Sequence, residues 1–442
     1  MSFAKGLGIT GLLLILVFTA LPALAQYEVS GGSGTPLFPA NIPSPMQVYL
    51  LDGLQGARIA FTSDDGSVHK WYRYKDRASN AEPVACVQTG NTSYITDIED
   101  GCGYFVGESN VPSTRYVWII DYSKYLPTFR SFRVEEDEEK CDYIRLIADI
   151  EAPTLYYYTP TGVRSEITRT YVLKYTALQW QEDNLQFVPE EIVDSLKGLV
   201  VEKVLDAPLT DTDFTLAGDA FAAHFGKMQA LTTPVYQAVA VEAHGYADRK
   251  KEKAANEFGP TAGSADLGGS APIDFTFSAY ANEPVAAMYI WKIEKQRDPL
   301  TWEPVVRYTD RTLHYTFNQD GLFRVALEVI GRDNCVDSTQ TFTVTIGASD
   351  IRVPQAFSPG SSPGVNDEFR VAYSSILSFK CVIFNRWGTK LFEWDDPAKG
   401  WDGRVNGKLV PTGAYFYIIQ YTGTDHKSHT KKGSVNVLRG KE

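Results

Sequence analysis

From about Val48 onward the chain falls into short apolar runs separated by turn residues, about every 8–12 positions. Ala57–Thr62, Lys70–Tyr74, Tyr94–Ile98, Tyr104–Gly107 and Tyr116–Ile120 are such runs, with Asp64-Asp65-Gly66 as one hairpin turn. Each is too short for a stable helix and long enough for a strand, and the spacing is that of a β-sandwich. Composition agrees, because 25 Tyr, 23 Phe, 35 Gly and 23 Pro stand against only four Met and six His, a balance that favours strands and turns. At roughly 100–200 residues per domain, 442 residues leave room for about two to four domains. The expected fold class is all-β, in tandem immunoglobulin-like β-sandwich domains.

The chain carries 54 acidic against 42 basic residues, a formal charge of −12 with pI near 5.1. No basic face for phosphate contacts follows from that balance, so no nucleic-acid partner is expected. Residues 1–25 read as a secretory signal peptide: Lys5 precedes the apolar run Leu12–Phe18, and Ala23-Leu24-Ala25 supplies a small-x-small cleavage site before Gln26. The run is shorter than the ~20 residues a membrane span needs, so export with cleavage between Ala25 and Gln26 is expected.

Residues 26–47, rich in Gly, Ser and Pro, read as a flexible lead-in, followed by an immunoglobulin-like domain over 48–142. Within it, Asp100-Gly101-Cys102-Gly103-Tyr104 resembles a tyrosine corner, with Trp71 as the matching core aromatic. The acidic run Glu135–Glu139 reads as a solvated connection. A second sandwich-like domain spans 143–250, and its Ala-rich stretch Phe214–Phe225 is either a short helix or a loop. Residues 251–271 read as a linker by composition. Export permits disulfides, and five cysteines leave at least one unpaired. Cys86 and Cys102, in neighbouring strand-like segments, are the favoured pair, with Cys102–Cys141 as the competitor. Cys335 and Cys381 are expected to stay free.

Residues 272–347 resemble a PKD-type domain, on Phe275-Thr276-Phe277, Tyr289–Ile293, Tyr315-Thr316-Phe317 and Gly321–Val329. Alternation puts Phe323, Val325, Leu327 and Val329 on one face, and Trp291 is expected between the sheets.

Residues 351–442 resemble the type B C-terminal sorting domain of the type IX secretion system, also called the gliding-motility-associated C-terminal domain, of the Bacteroidota. The resemblance rests on Val353–Pro359 with Phe357, Asn366-Asp367, Asn385-Arg386-Trp387-Gly388, Trp401-Asp402-Gly403, Gly413 and Tyr415 in Pro411–Tyr417, and the closing Gly433–Leu438. It implies a small sandwich read by the type IX machinery, and a dedicated outer-membrane partner. Both Trp387 and Trp401 are expected in the core. The family's Asn-Gly-Asp-Gly loop is replaced here by Gly360–Val365. The acidic oxygen ligand is thereby lost, so no calcium or other cofactor is expected, and Asp367 reads as a loop hydrogen-bonder.

The reading is a non-enzymatic exported protein of the cell surface or medium, its N-terminal sandwiches contacting a protein or glycan in adhesion. No catalytic residue is assigned: there is no Gly-x-Ser-x-Gly, metal-ligand spacing or phosphate loop. The alternatives are an exported hydrolase with its active site in 44–250, or an accessory component of the secretion and gliding machinery.

Overall fold

The computed structural model describes residues 27–438, apart from 64–66, 108–114, 136–139, 200, 250–253, 260–266 and 361–363. The signal-peptide features with Ala25 and Gln26, the Asp64–Gly66 turn and most of the acidic run lie outside the described residues. The structure is all-β, and the one α-helix among the described residues is Ala220–His224, inside the Ala-rich stretch. Asp219 caps it by accepting the Ala222 amide at 2.8 Å.

The lead-in is not a loose tail. Tyr27–Ser30 pairs antiparallel with Arg58–Thr62, the Tyr27 ring packs on Phe61 and Trp71, and its hydroxyl accepts the Val106 amide at 2.8 Å. Gly and Ser dominate the composition there and hid the two-residue alternation of Tyr27 and Val29 that buries the strand. The facing sheet runs Met46–Leu51, Tyr116–Asp121, Cys102–Val106, Trp71–Tyr74 and Glu82–Val84, with the first two parallel. Every residue of Tyr116–Asp121 is buried, as expected of a strand covered on both faces. Val117 and Ile119 face the first unit's own core with Ile59 and Trp71. Trp118 and Ile120 pack instead against Leu155, Tyr157, Ile167 and Ala222 of the next unit. The tyrosine corner is present, with the Tyr104 hydroxyl accepting the Glu99 amide at 2.6 Å.

In the second unit the sheet Thr128–Glu135, Tyr143–Glu151, Glu202–Asp206 faces the sheet Gln186–Lys197, Thr170–Gln181, Thr215–Gly218, Gln229–Thr232, and the core between them includes Leu146, Leu173 and Phe214. Thr128–Glu135 pairs with Tyr143–Glu151, so this unit starts before 143. A buried ion pair of the second unit also binds the first, through Tyr122 and Tyr125. Arg169 donates to Asp219 and to the carbonyls of Tyr125 and Pro153, while the Tyr122 hydroxyl donates to Asp219.

The third unit likewise starts early, because Ala243–Arg249 pairs with Ile273–Ala281. The facing sheet holds Gly321–Gly331 between Ala286–Asp298 and Thr341–Ile346. Phe323, Val325, Leu327 and Val329 all point into the core around Trp291, as the alternation requires.

The cysteine pairing differs from both expected ones. Cys141 is bonded to Cys335, 194 residues away, with Cα atoms 5.5 Å apart, and this ties a loop of the second unit to a loop of the third. Cys86, Cys102 and Cys381 are free. Cys102 points into the core of the first unit and the half-buried Cys86 thiol donates to the His69 carbonyl at 3.5 Å. Adjacency in sequence suggested their pairing, but the decisive contact is between loops of different units, which no local pattern records. Cys381 is free, as expected.

The 251–271 stretch is more than a linker. Leu267–Gly269 pairs with Thr341–Ile346. Asn256 docks on the C-terminal unit, its side-chain amide donating to the carbonyls of Val371 and Pro397 at 2.7 and 2.8 Å. Nearby, Ser375 donates its backbone amide to Ser270 and its hydroxyl to the Gly347 carbonyl. The last two units therefore meet through the buried, mutually bonded Ser270 and Ser375 and through the half-buried Asn256 amide.

Candidate functional site

The C-terminal unit is built on the sheet Ala356–Phe357, Ser428–Val437, Gly413–Gly423, Ile376–Phe384 and Lys390–Trp394. Tyr415, Tyr417 and Ile419 turn one face inward, and the alternating Phe416 is 46% exposed on the other. Phe357, Phe369 and Trp401 close the core beneath that inner face. Trp401 is fully buried: its indole N–H donates to the Arg404 carbonyl at 2.9 Å, and its ring lies edge-on to Tyr415, 5.6 Å between centroids. The Tyr415 hydroxyl donates to the Pro411 carbonyl at 2.9 Å.

Most of the remaining motif residues shape turns. The Asn366 carbonyl accepts the Ser358 amide at 2.7 Å. Asp367 accepts the Gly364 amide at 2.9 Å, the loop-bonding part expected of it. Asp402 accepts the Arg404 amide at 3.0 Å, and the Gly403 carbonyl accepts the Val410 amide at 2.9 Å. Gly413 opens its strand. Gly433 is required by close approach: a Cβ there would sit 2.3 Å from the Tyr417 hydroxyl, so the glycine makes room for that ring.

The Asn385–Thr389 turn divides its residues by task. The Asn385 side chain accepts the amides of Trp387 and Thr389 at 3.0 and 2.9 Å, and Gly388 takes φ 83°, a left-handed conformation that costs glycine little. Arg386 and Trp387 ride on this frame. Trp387 is 74% exposed, and the Arg386 guanidinium lies 4.2 Å from its ring centroid. Sequence reasoning placed Trp387 in the core with Trp401. The structure places it on the surface, because the two-residue period of the preceding strand ends at Phe384 and a turn residue has no inward face.

Sequence-matched families agree with this geometry. Residues 351–437 match the CHU_C type IX secretion signal domain. The C-terminal unit is a type IX secretion signal domain. The chain is therefore exported, and it meets the type IX machinery. Residues 133–233 match a fibronectin type III domain, which falls on the second unit and begins inside the strand that the sequence reading gave to the first. No curated protein matches the chain. Among solved structures the chain is similar to a tetra-tandem repeat in the extending region of a large adhesion protein. That likeness has 10% identity and a TM-score of 0.21, over 89% of this chain and 99% of that one. It is similar also to dimeric latent PorU from Porphyromonas gingivalis, at 10% identity and a TM-score of 0.17, over 76% of this chain and 35% of that one. At such scores neither likeness bears on the fold or the function. No helix among the described residues is long and apolar enough to cross a membrane.

A second candidate site lies where the first two units meet. A cavity of about 520 Å³ is lined by Leu37, Ile42, Tyr157 and Phe221, with Glu166, Lys197 and His224 as its charged or titratable members. His224 Nε2 lies 2.9 Å from the Thr35 carbonyl and so serves as a donor there. Of the cavity's residues the sequence offers only His224 for notice, and without a Cys or Ser nucleophile signature around it, because the lining comes from five separate segments.

Proposed function

We propose that the chain is a non-enzymatic exported protein that ends at the cell surface or in the medium. Its secretion signal domain is read by the type IX route with a dedicated outer-membrane partner, and its N-terminal units contact a protein or a glycan. The observation that carries the reading is the secretion signal domain itself, intact in core and turns. The Cys141–Cys335 bond supports it, since such bonds persist in oxidising compartments. Against the hydrolase alternative, Glu166 is the one carboxylate lining the 520 Å³ cavity, where hydrolysis of a glycoside by paired carboxylates needs two. A bound cofactor is not part of the proposal, because Gly360–Val365 brings no acidic oxygen to the loop before Asn366-Asp367, and hard cations want several such oxygens.

The test is to present the purified full chain to glycan and surface-protein arrays and, in parallel, to ester, glycoside and peptide substrates. Saturable binding without turnover is the expected result. Turnover abolished by Glu166→Gln would replace this reading with the hydrolase.

A further inference from the structure

Among the motif residues of the secretion signal domain, the fold accounts for all but two. Phe357, Trp401 and Tyr415 fill the core, Gly433 admits a ring, Gly413 takes φ 148° where its strand opens, and Asn366, Asp367, Asn385, Gly388, Asp402 and Gly403 shape turns. Arg386 and Trp387 do neither. They are exposed, and they touch one another. A rigid turn that holds a large aromatic side chain in water stabilises nothing by burial, so its contribution has to come from contact with something else.

The neighbourhood shows what that contact is built to take. Beside the turn an open groove of about 690 Å³ crosses the outer face of the sheet. In-register pairing sets Phe384 beside Phe416 and Ile418 beside Lys432, which makes an apolar strip with Arg386 at one side and Lys432 at the other. Among the described residues neither cation has a carboxylate partner. The nearby Glu393 is already shared by Lys380 and Lys390, at 3.5 and 2.7 Å. Unpaired cations thus cluster on one face of a chain whose formal charge is −12.

We propose that this groove, with Arg386, Trp387, Phe416 and Lys432, is the surface by which the secretion signal domain is recognised. Its occupant is an acidic segment of a protein of the export route. That segment lays an apolar side chain on the Phe384–Phe416 strip and carboxylates against Arg386 and Lys432. The pattern is a desolvated aromatic anchor flanked by charges that select the partner. A protein segment fits better than an anionic bilayer for two reasons. The apolar strip is recessed beside a projecting turn, and the chain's net negative charge repels an extended anionic surface. A single segment meets only the local field within a Debye length of about 8 Å. The proposal rests on the reading of this domain as an export address.

The test uses the full chain in its native host. Expected results are that Arg386→Glu with Lys432→Glu, and separately Trp387→Ala, lower the exported fraction about ten-fold or more. The thermal midpoints of the purified variants should stay at the wild-type value. A control reversing the exposed Lys408 and Lys427 outside the groove should export normally. A photo-crosslinker at position 387 should yield an adduct with an acidic protein in exporting cells, and the double reversal should abolish it. Export of the double reversal at wild-type level overturns the proposal. So does binding of the wild-type chain to phosphatidylglycerol vesicles that the reversal removes, or a dimer in sedimentation that it dissociates. A chain lacking residues 351–442 separates the two levels. If that deletion blocks export and the reversals do not, only the surface is wrong. If the deletion exports normally, the address reading fails with it.

Discussion

Trp387 and Trp401 are the same residue type in the same small domain, and the structure assigns them opposite energetics. Trp401 is fully buried and Trp387 is 74% exposed. Truncating a buried Trp to Ala removes about 150–250 Å² of apolar packing and costs about 3–5 kcal/mol. Trp401→Ala also strands the Arg404 carbonyl that its indole satisfied. Trp387→Ala forfeits only a surface cation–π contact and should stay within about 0.5 kcal/mol. Cys381 offers a readout confined to this domain. Its thiol is fully buried, and burial pushes its pKa up to about 12, so at neutral pH a maleimide reacts only when the domain opens. With Cys86 and Cys102 replaced by Ser, the labelling rate follows the open population when closing outpaces reaction. An increase of about 140- to 4,000-fold is expected for Trp401→Ala, since about 1.4 kcal/mol is a factor of ten, and less than about three-fold for Trp387→Ala. Comparable acceleration by the two would refute the burial argument and return Trp387 to the core.

Three further perturbations follow from the contacts between units. Replacing Cys141 and Cys335 by Ser opens a link spanning 194 residues, worth about 5 kcal/mol in the loop-entropy relation; calorimetry of the full chain should show a lower midpoint for the second and third units, and an unchanged thermogram would contradict the bond. Asp219→Ala leaves the buried Arg169 without its carboxylate and should cost about 3–5 kcal/mol, read by urea unfolding followed through tryptophan fluorescence. Asn256→Ala strips the carbonyls of Val371 and Pro397 of their donor, a loss of about 1–3 kcal/mol; labelling of Cys381 should accelerate accordingly, and no change would mean that this segment is not part of the C-terminal unit's support.

Much of the fold was legible because it is written locally. The alternation of Phe323 through Val329, the tyrosine corner at Tyr104 and the turn residues Asn385 and Asp402 each act within a few positions of themselves. What escaped was whatever depends on which distant segments meet. Tyr27–Ser30 became a strand because Arg58–Thr62 lies beside it, and nothing in a Gly- and Ser-rich stretch records that neighbour. Cys335 found Cys141 because two units dock. Asn256 lies in a stretch with a linker's composition, yet it carries half-buried hydrogen bonds across 115 and 141 residues of sequence. In the secretion signal domain the motif order disclosed the family, but motif membership alone could not separate a core tryptophan from a displayed one. The signal that could have done so is the turn itself: Asn385 and Gly388 bracket Trp387 and take it out of the strand period.

The measurement that bears most directly on the account is the distribution of the full chain and of a chain ending at Gly347 between periplasm, cell surface and medium, in hosts with and without a working type IX system. The account predicts the full chain at the surface or in the medium only when that system works, and the shortened chain held in the periplasm in either host. A shortened chain that leaves the cell as well as the full one, or a full chain that leaves without the type IX system, would contradict it.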